Sequence, residues 1–291
     1  MTWQEQALVF ECEGNRLIGV VARPERSHRT GVVIVVGGPQ YRAGSHRQFT
    51  LLARALANKG IASLRFDYRG MGDSEGEMRN FEAIDADIKS AIDVLMTQVP
   101  GIEQIVLWGL CDGASAALYY AHTDPRVRGL MLLNPWAHSE AGAARARLRH
   151  YYVDRLLSRS FWTKFLSGNV RLNASLADLT ESARQARAPD HLSTPVNAPA
   201  NHRQGAPGYI DRMLRGLKKY SGQVHFVLSE KDLTAQEFIA LIQHNKIWRA
   251  ACKRPKIKTT VLTDANHTFA KDSWRDQVET ETVAWIYQTV P

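Results

Sequence analysis

Gly109-Leu110-Cys111-Asp112-Gly113 sets a cysteine between two glycines, directly after the apolar run Ile105–Trp108 and before the small-residue run Ala114–Leu118. The succession predicts a strand, a sharp turn and a helix, with the thiol at the turn. A nucleophile at such a turn needs a strained backbone that aims its side chain away from the sheet. It also needs small residues two positions either side, where strand and helix pass close together. The helix N-terminus behind Cys111 carries a partial positive charge, which predicts a stabilised thiolate. Taken alone, the pentapeptide fits an inert core cysteine better, because cysteine is a common buried residue.

Two downstream residues reverse that preference. The β-rich run Val224–Ser229 leads into Glu230-Lys231-Asp232, and Thr234-Ala235-Gln236-Glu237 has the spacing of a capping box. Thr234 is then the expected N-cap of the next helix, and Asp232 stays in the loop at the strand's C-terminal end. The run Thr259–Leu262 likewise precedes Ala265-Asn266-His267-Thr268-Phe269. A thiol, an imidazole and a carboxylate are the parts of nucleophilic acyl chemistry. His267 would accept the thiol proton, or hold Cys111 as a thiolate in an ion pair. Asp232 would fix the imidazole tautomer and stabilise its charged form. Glu230 reads as a solvated loop carboxylate, and Asp264, only three residues from His267, is the stronger rival to Asp232. Attack on an ester, thioester or lactone would leave an acyl-Cys thioester, completed by water in hydrolysis or by an alcohol or amine in transfer. This chemistry calls for no metal and no organic cofactor.

The elements that must position these residues alternate along the chain. Ala7–Glu11 and Leu17–Ala22 flank Glu13-Gly14-Asn15 as a β-hairpin. Gly31–Val36 is a continuous apolar strand of the kind found inside parallel sheets. A helix follows over Phe49–Ala57, then a strand at Ile61–Phe66. Ile84, Ile88, Ala91, Ile92, Leu95 and Met96 mark one face of a helix. The strands Ile105–Trp108 and Gly129–Leu133 enclose the elbow helix. After Asn134-Pro135-Trp136 the rhythm stops: residues 137–220 contain no convincing strand, Ala141–Leu157 looks helical, and prolines make 189–208 a loop. It resumes at Gln223 and ends in a helix over Trp274–Gln288. An insertion between two β/α repeats is the economical description.

Composition bounds the rest. With 291 residues, 44% hydrophobic, the chain can bury one large domain core. Cys12, Cys111 and Cys252 are too few and too scattered for a disulfide framework, and no Cys/His spacing suggests zinc. The N-terminus shows no basic segment followed by a long apolar one, so a cytoplasmic protein is expected, with peripheral membrane contact left open. The net charge of +8 is uneven: residues 141–220 hold 14 Lys and Arg against 5 Asp and Glu, and the remainder is close to neutral. No nucleic-acid motif accompanies this charge. A solvated helical surface is its plainest account. An anionic substrate, an acidic carrier protein or a membrane surface is the functional alternative, with Arg145 and Arg149 near one another on one helical face.

Together these residues resemble the α/β-hydrolase superfamily, whose nucleophile, acid and histidine follow in this chain order after successive strands. The resemblance covers residues ~7–136 and ~221–288. Phe66-Asp67-Tyr68-Arg69-Gly70-Met71-Gly72-Asp73-Ser74 is similar to the family's D-x-R-G-x-G-x-S loop. The loop from Gly37 to Arg47, with the cysteine elbow, resembles exosortase A system-associated hydrolases of the first type. Those are linked by genomic context to bacterial exopolysaccharide production and protein sorting. A Cys-His-Asp triad is also similar to that of dienelactone hydrolases, which lack an insertion of this size.

The resemblance implies an α/β fold, a mostly parallel eight-stranded sheet with a helical cap. Residues 1–136 and 221–291 would form the core and 137–220 the cap over the strands' C-terminal ends. It implies a catalytic Cys111, Asp232 and His267, acting on a small acyl substrate, as esterase, thioesterase or acyltransferase. Backbone N–H groups would hold the tetrahedral oxyanion. Asp112 supplies one. Pro39 stands where many members have the other donor, and proline has no N–H. That donor shifts to Gln40 or comes from a side chain. The competing reading is a non-catalytic binding module on the same scaffold, against which the complete Cys, Asp and His set speaks. A redox sensor lacks a resolving cysteine nearby in sequence.

Overall fold

The computed structural model describes residues 2–38, 40–138 and 208–290. Eight strands form one sheet in the order β1-β2-β4-β3-β5-β6-β7-β8. The expected hairpin is longer than its apolar positions suggested: β1 (Trp3–Cys12) and β2 (Asn15–Pro24) pair antiparallel along their full length. β2 also joins β4 (Ser63–Phe66) antiparallel. The other neighbours are parallel, namely β3 (Thr30–Val35), β5 (Gln104–Leu110), β6 (Val127–Leu133), β7 (Gln223–Ser229) and β8 (Ile257–Leu262). All five thus end at the same edge of the sheet.

The continuous apolar run of β3 has a simple cause. Val33 and Val35 point into one core with Ile88 and Ile92 of α2 (Asp85–Gln98), Leu118 of α3 (Asp112–Tyr120) and Phe238 further along the chain. Val32 and Ile34 point into a second core with Phe49, Leu52 and Leu56 of α1 (Gln48–Asn58) and Trp285 and Ile286 near the C-terminus. A strand covered on both faces cannot alternate apolar with polar residues. Each fully buried Val, Leu, Ile or Phe contributes roughly 1.5–3 kcal/mol.

A further helix, α4 (Tyr209–Lys219), falls within the segment expected as a cap. It packs on α3, where Met213 and Leu217 share the first core with Leu118. Gly216 permits the approach: a Cβ there would lie 2.0 Å from the Leu118 carbonyl oxygen. The remaining elements are α5 (Leu233–His244), α6 (Lys246–Cys252) and α7 (Asp272–Thr289). Arg145 and Arg149, with most of the expected cap, lie outside the described residues. No helix among the described residues is long and apolar enough to cross a membrane.

Candidate active site

Cys111 sits between β5 and α3 with φ 58° and ψ −126°, a conformation that L-residues rarely adopt. Its N–H donates to Leu133 O (2.9 Å), and its carbonyl accepts from the amides of Ala114 (3.1 Å), Ser115 (3.2 Å) and Trp136 (3.2 Å). The flanking glycines are required by space. A Cβ on Gly109 would lie 2.6 Å from the Gly113 carbonyl carbon, and one on Gly113 would lie 2.4 Å from Val35 O.

Burial, and then the Asp112 carboxyl beside it, pushes the Cys111 thiol above its ordinary range. Burial thus works against the thiolate that the helix N-terminus favours. The Asp112 amide favours the anion but is outweighed, and the amides of Ala114 and Ser115 are already bonded to the Cys111 carbonyl.

Asp232 and His267 meet across the loops that follow β7 and β8. His267 Nδ1 lies 2.8 Å from Asp232 Oδ2, with the carboxylate side chain 9% exposed and the imidazole 33% exposed. Glu230 is exposed and accepts the Asp264 amide (2.9 Å), so neither rival carboxylate holds the imidazole Nδ1. One expectation is corrected. Asp232 rather than Thr234 is the N-cap of α5, accepting the amides of Thr234 (3.3 Å) and Ala235 (3.0 Å) from an extended backbone. The helix starts two residues earlier than expected, so the free amides at its N2 and N3 positions are those of Thr234 and Ala235, within reach of Asp232.

The histidine loop is tied down by residues that sequence reasoning passed over. Asn134, fully buried at φ 44°, donates to Ser229 Oγ (2.9 Å) and to the His267 carbonyl (3.0 Å), while its Oδ1 accepts the Ser229 amide (2.8 Å). Ser229 Oγ in turn donates to Asn266 O (2.9 Å), and the Lys231 amide to Ala265 O (3.0 Å).

The loop after β3 faces the elbow. Gln40 lies in it, its Oε1 accepting the Ser45 amide (3.3 Å). The D-x-R-G-x-G-x-S residues hold this loop from below. Buried Asp67 accepts the Arg42 amide (2.6 Å), pairs with the Arg42 guanidinium and accepts the Asp73 amide (3.1 Å). Arg69 forks onto Asp87 through Nε (3.0 Å) and Nη2 (2.8 Å). A cleft of about 490 Å³ opens beside Gln40, walled by Tyr41, Met71, Asp73 and Met78. A second histidine–carboxylate pair, His138 Nδ1 to Glu237 Oε2 at 2.9 Å, lies two residues beyond Trp136 and was not expected from sequence.

The thiol at its strained turn and the carboxylate-held imidazole both follow strands that end at one edge of the sheet, and they are of the types that nucleophilic acyl chemistry uses. Residues 27–228 match the family model described as serine aminopeptidase, S33. Over 102 residues the chain is 32% identical to polyketide transferase grgF of Penicillium sp., covering 32% of this chain and 33% of that protein. Over 120 residues it is 29% identical to acyltransferase drtE of Aspergillus calidoustus, covering 40% and 38% respectively. The chain thus spans well under half the length of these curated relatives. Among solved structures, the Pyrococcus furiosus esterase Pf2001 superposes with a TM-score of 0.65 at 14% identity, over 99% of this chain and 92% of that one. The α/β hydrolase GrgF of Penicillium sp. sh18 gives a TM-score of 0.61 at 16% identity, over 99% of both chains.

Proposed function

Because this chain belongs to the serine aminopeptidase S33 family and has the α/β-hydrolase fold, we propose that it is a cysteine acyl hydrolase or acyltransferase working through an acyl-Cys111 thioester. The observation that carries this reading is the conjunction of Cys111 at φ 58° with the 2.8 Å His267–Asp232 pair at the same edge of the sheet. Because burial keeps the resting thiol neutral, His267 acts as a general base during attack rather than as the partner of a preformed thiolate. Asp232 holds Nδ1–H, leaving Nε2 to take the proton. The sulfur adds to the carbonyl carbon, the oxyanion rests on the Asp112 amide and a second donor, and collapse expels the leaving group with the proton from His267.

A thioester is a better acyl donor than an oxyester, which favours transfer to an alcohol or amine alongside hydrolysis. The names of the two fungal relatives support that direction. The surplus of basic residues in 141–220, including Arg145 and Arg149, supports an anionic or carrier-bound acyl donor. The loop Gly37–Arg47 and the cysteine elbow support a setting in exosortase-associated exopolysaccharide metabolism. The test is incubation with a panel of activated esters and thioesters, followed by intact-mass detection. An acyl adduct on the wild type, absent from Cys111→Ala, is expected. Equal turnover by both proteins would sink the reading.

A further inference from the structure

The carboxyl of Asp112 has no explanation in the triad. Its Oδ1 is buried without a hydrogen-bond partner. It lies 2.6 Å from where a Cβ on Gly37 would stand and 3.8 Å from where one on Gly38 would. The side chain therefore reaches across from the elbow to the loop after β3, the two places from which oxyanion donors come. The amides of Asp112, Gly38 and Gly113 and the Cys111 thiol all favour the charged form of the carboxyl. Burial outweighs all of them and raises its pKa above the usual carboxylate range.

We propose that Asp112 is a catalytic residue whose carboxyl, in its neutral acid form, donates its O–H to the oxyanion formed at Cys111, in place of the amide that Pro39 lacks. The proposal rests on the acyl-Cys111 reading. An ionised carboxylate at this point would repel both a thiolate and an oxyanion, so only the neutral acid is compatible with the chemistry next to it. The protons balance without Asp112 losing its own. The thiol proton passes to His267 as the S–C bond forms, and the carbonyl electron pair moves to oxygen. The Asp112 O–H bonds to that oxygen, and collapse restores C=O while the leaving group departs with the proton from His267. A neutral acid kept in an apolar site to donate a hydrogen bond is an established device in enzymes.

The test compares wild type, Asp112→Asn and Asp112→Ala with two reagents. p-Nitrophenyl acetate forms a tetrahedral oxyanion on Cys111. Iodoacetamide alkylates the same sulfur by direct displacement and forms none. Asn is a near-isosteric neutral donor, so it should acylate within about tenfold of wild type. The Ala variant should acylate roughly 100- to 1,000-fold more slowly, the loss seen when one oxyanion donor is removed. Alkylation of Cys111, located by peptide mass, should stay within a few-fold in all three. An Ala variant that acylates at the wild-type rate overturns the proposal. So does an Asn variant as slow as Ala, the result expected of a base, and so does alkylation that falls in step with acylation, which signals a distorted elbow. Wild type that forms no acyl adduct on Cys111 sinks the cysteine reading itself, and this proposal with it.

Discussion

The carboxylate of Asp232 serves two partners at once: its Oδ2 is 2.8 Å from His267 Nδ1 and 3.0 Å from the Ala235 amide that opens α5. Orientation of the imidazole and helix capping therefore share one side chain, and the two can be separated by substitution. Asp232→Asn keeps a good N-cap, because Asn ranks with Asp there, whereas Asp232→Ala loses about 1 kcal/mol of stability. Both should lose at least roughly 100-fold in acylation rate, since neither holds a charged imidazole in the correct tautomer. Thermal unfolding and acylation rates on both variants check this. Activity that follows stability, with Asn near wild type, would make Asp232 a cap and nothing more.

The backbone at Cys111 gives a second expectation. At φ 58° and ψ −126° any Cβ is strained, at a cost of about 1–3 kcal/mol. Elsewhere an Ala outranks a Gly by its smaller loss of chain entropy. At this position the order should invert, with Cys111→Gly unfolding at a higher temperature than Cys111→Ala while neither forms an acyl adduct. Melting curves of the two variants decide it, and the ordinary order would mean that the turn relaxes.

These residues show what can be read from a chain and what cannot. The apolar runs of β3 and β5, the glycines around Cys111 and the positions of Asp232 and His267 just past strands are local signals, and local signals survive in a sequence. The cap of α5 is local too, yet it misleads. Thr234 and Glu237 have capping-box spacing, but Asp232 captures the amides and Glu237 turns to His138. Asn134 is silent for another reason: its partners lie 95 and 133 positions away, and nothing in Asn134-Pro135-Trp136 announces them. The upward push on the Cys111 thiol is likewise a product of packing, which works against the helix terminus that the sequence advertises.

Contact between α4 and α3 predicts an unusual cost for a helix-favouring change. Ala in a helix interior is better than Gly by roughly 1 kcal/mol. At Gly216, however, the added carbon would lie 2.0 Å from Leu118 O, a backbone atom that cannot rotate away. Gly216→Ala should therefore lower stability by about 1–3 kcal/mol net, as overpacked sites do. The urea midpoint measures it. A neutral or raised midpoint would mean that α4 is free to slide on α3.

A buried histidine far from Cys111 predicts how stability responds to acid. His225 on β7 is fully buried, with Nε2 3.0 Å from Thr260 Oγ1 and 3.2 Å from Glu281 Oε1. Thr260 gives its own proton to Glu281 (2.8 Å), so its oxygen accepts Nε2–H, and the bare Nδ1 is left buried without a partner. That tautomer follows from the network and describes a neutral ring. Lys258, which also reaches Glu281 (2.9 Å), repels a charged imidazole, while Glu281 attracts one. Burial is the largest influence and holds the imidazole well below its usual value of 6.5, to about 4. A depressed histidine means that the unfolded chain binds the proton more readily than the folded one. Its contribution to stability is therefore present above pH 6.5 and lost progressively as pH falls toward about 4. Thermal unfolding of wild type across that interval should fall more steeply than that of His225→Gln, which cannot titrate but can still donate to Thr260. Parallel slopes would mean that His225 takes up its proton in the folded protein as readily as in the unfolded chain.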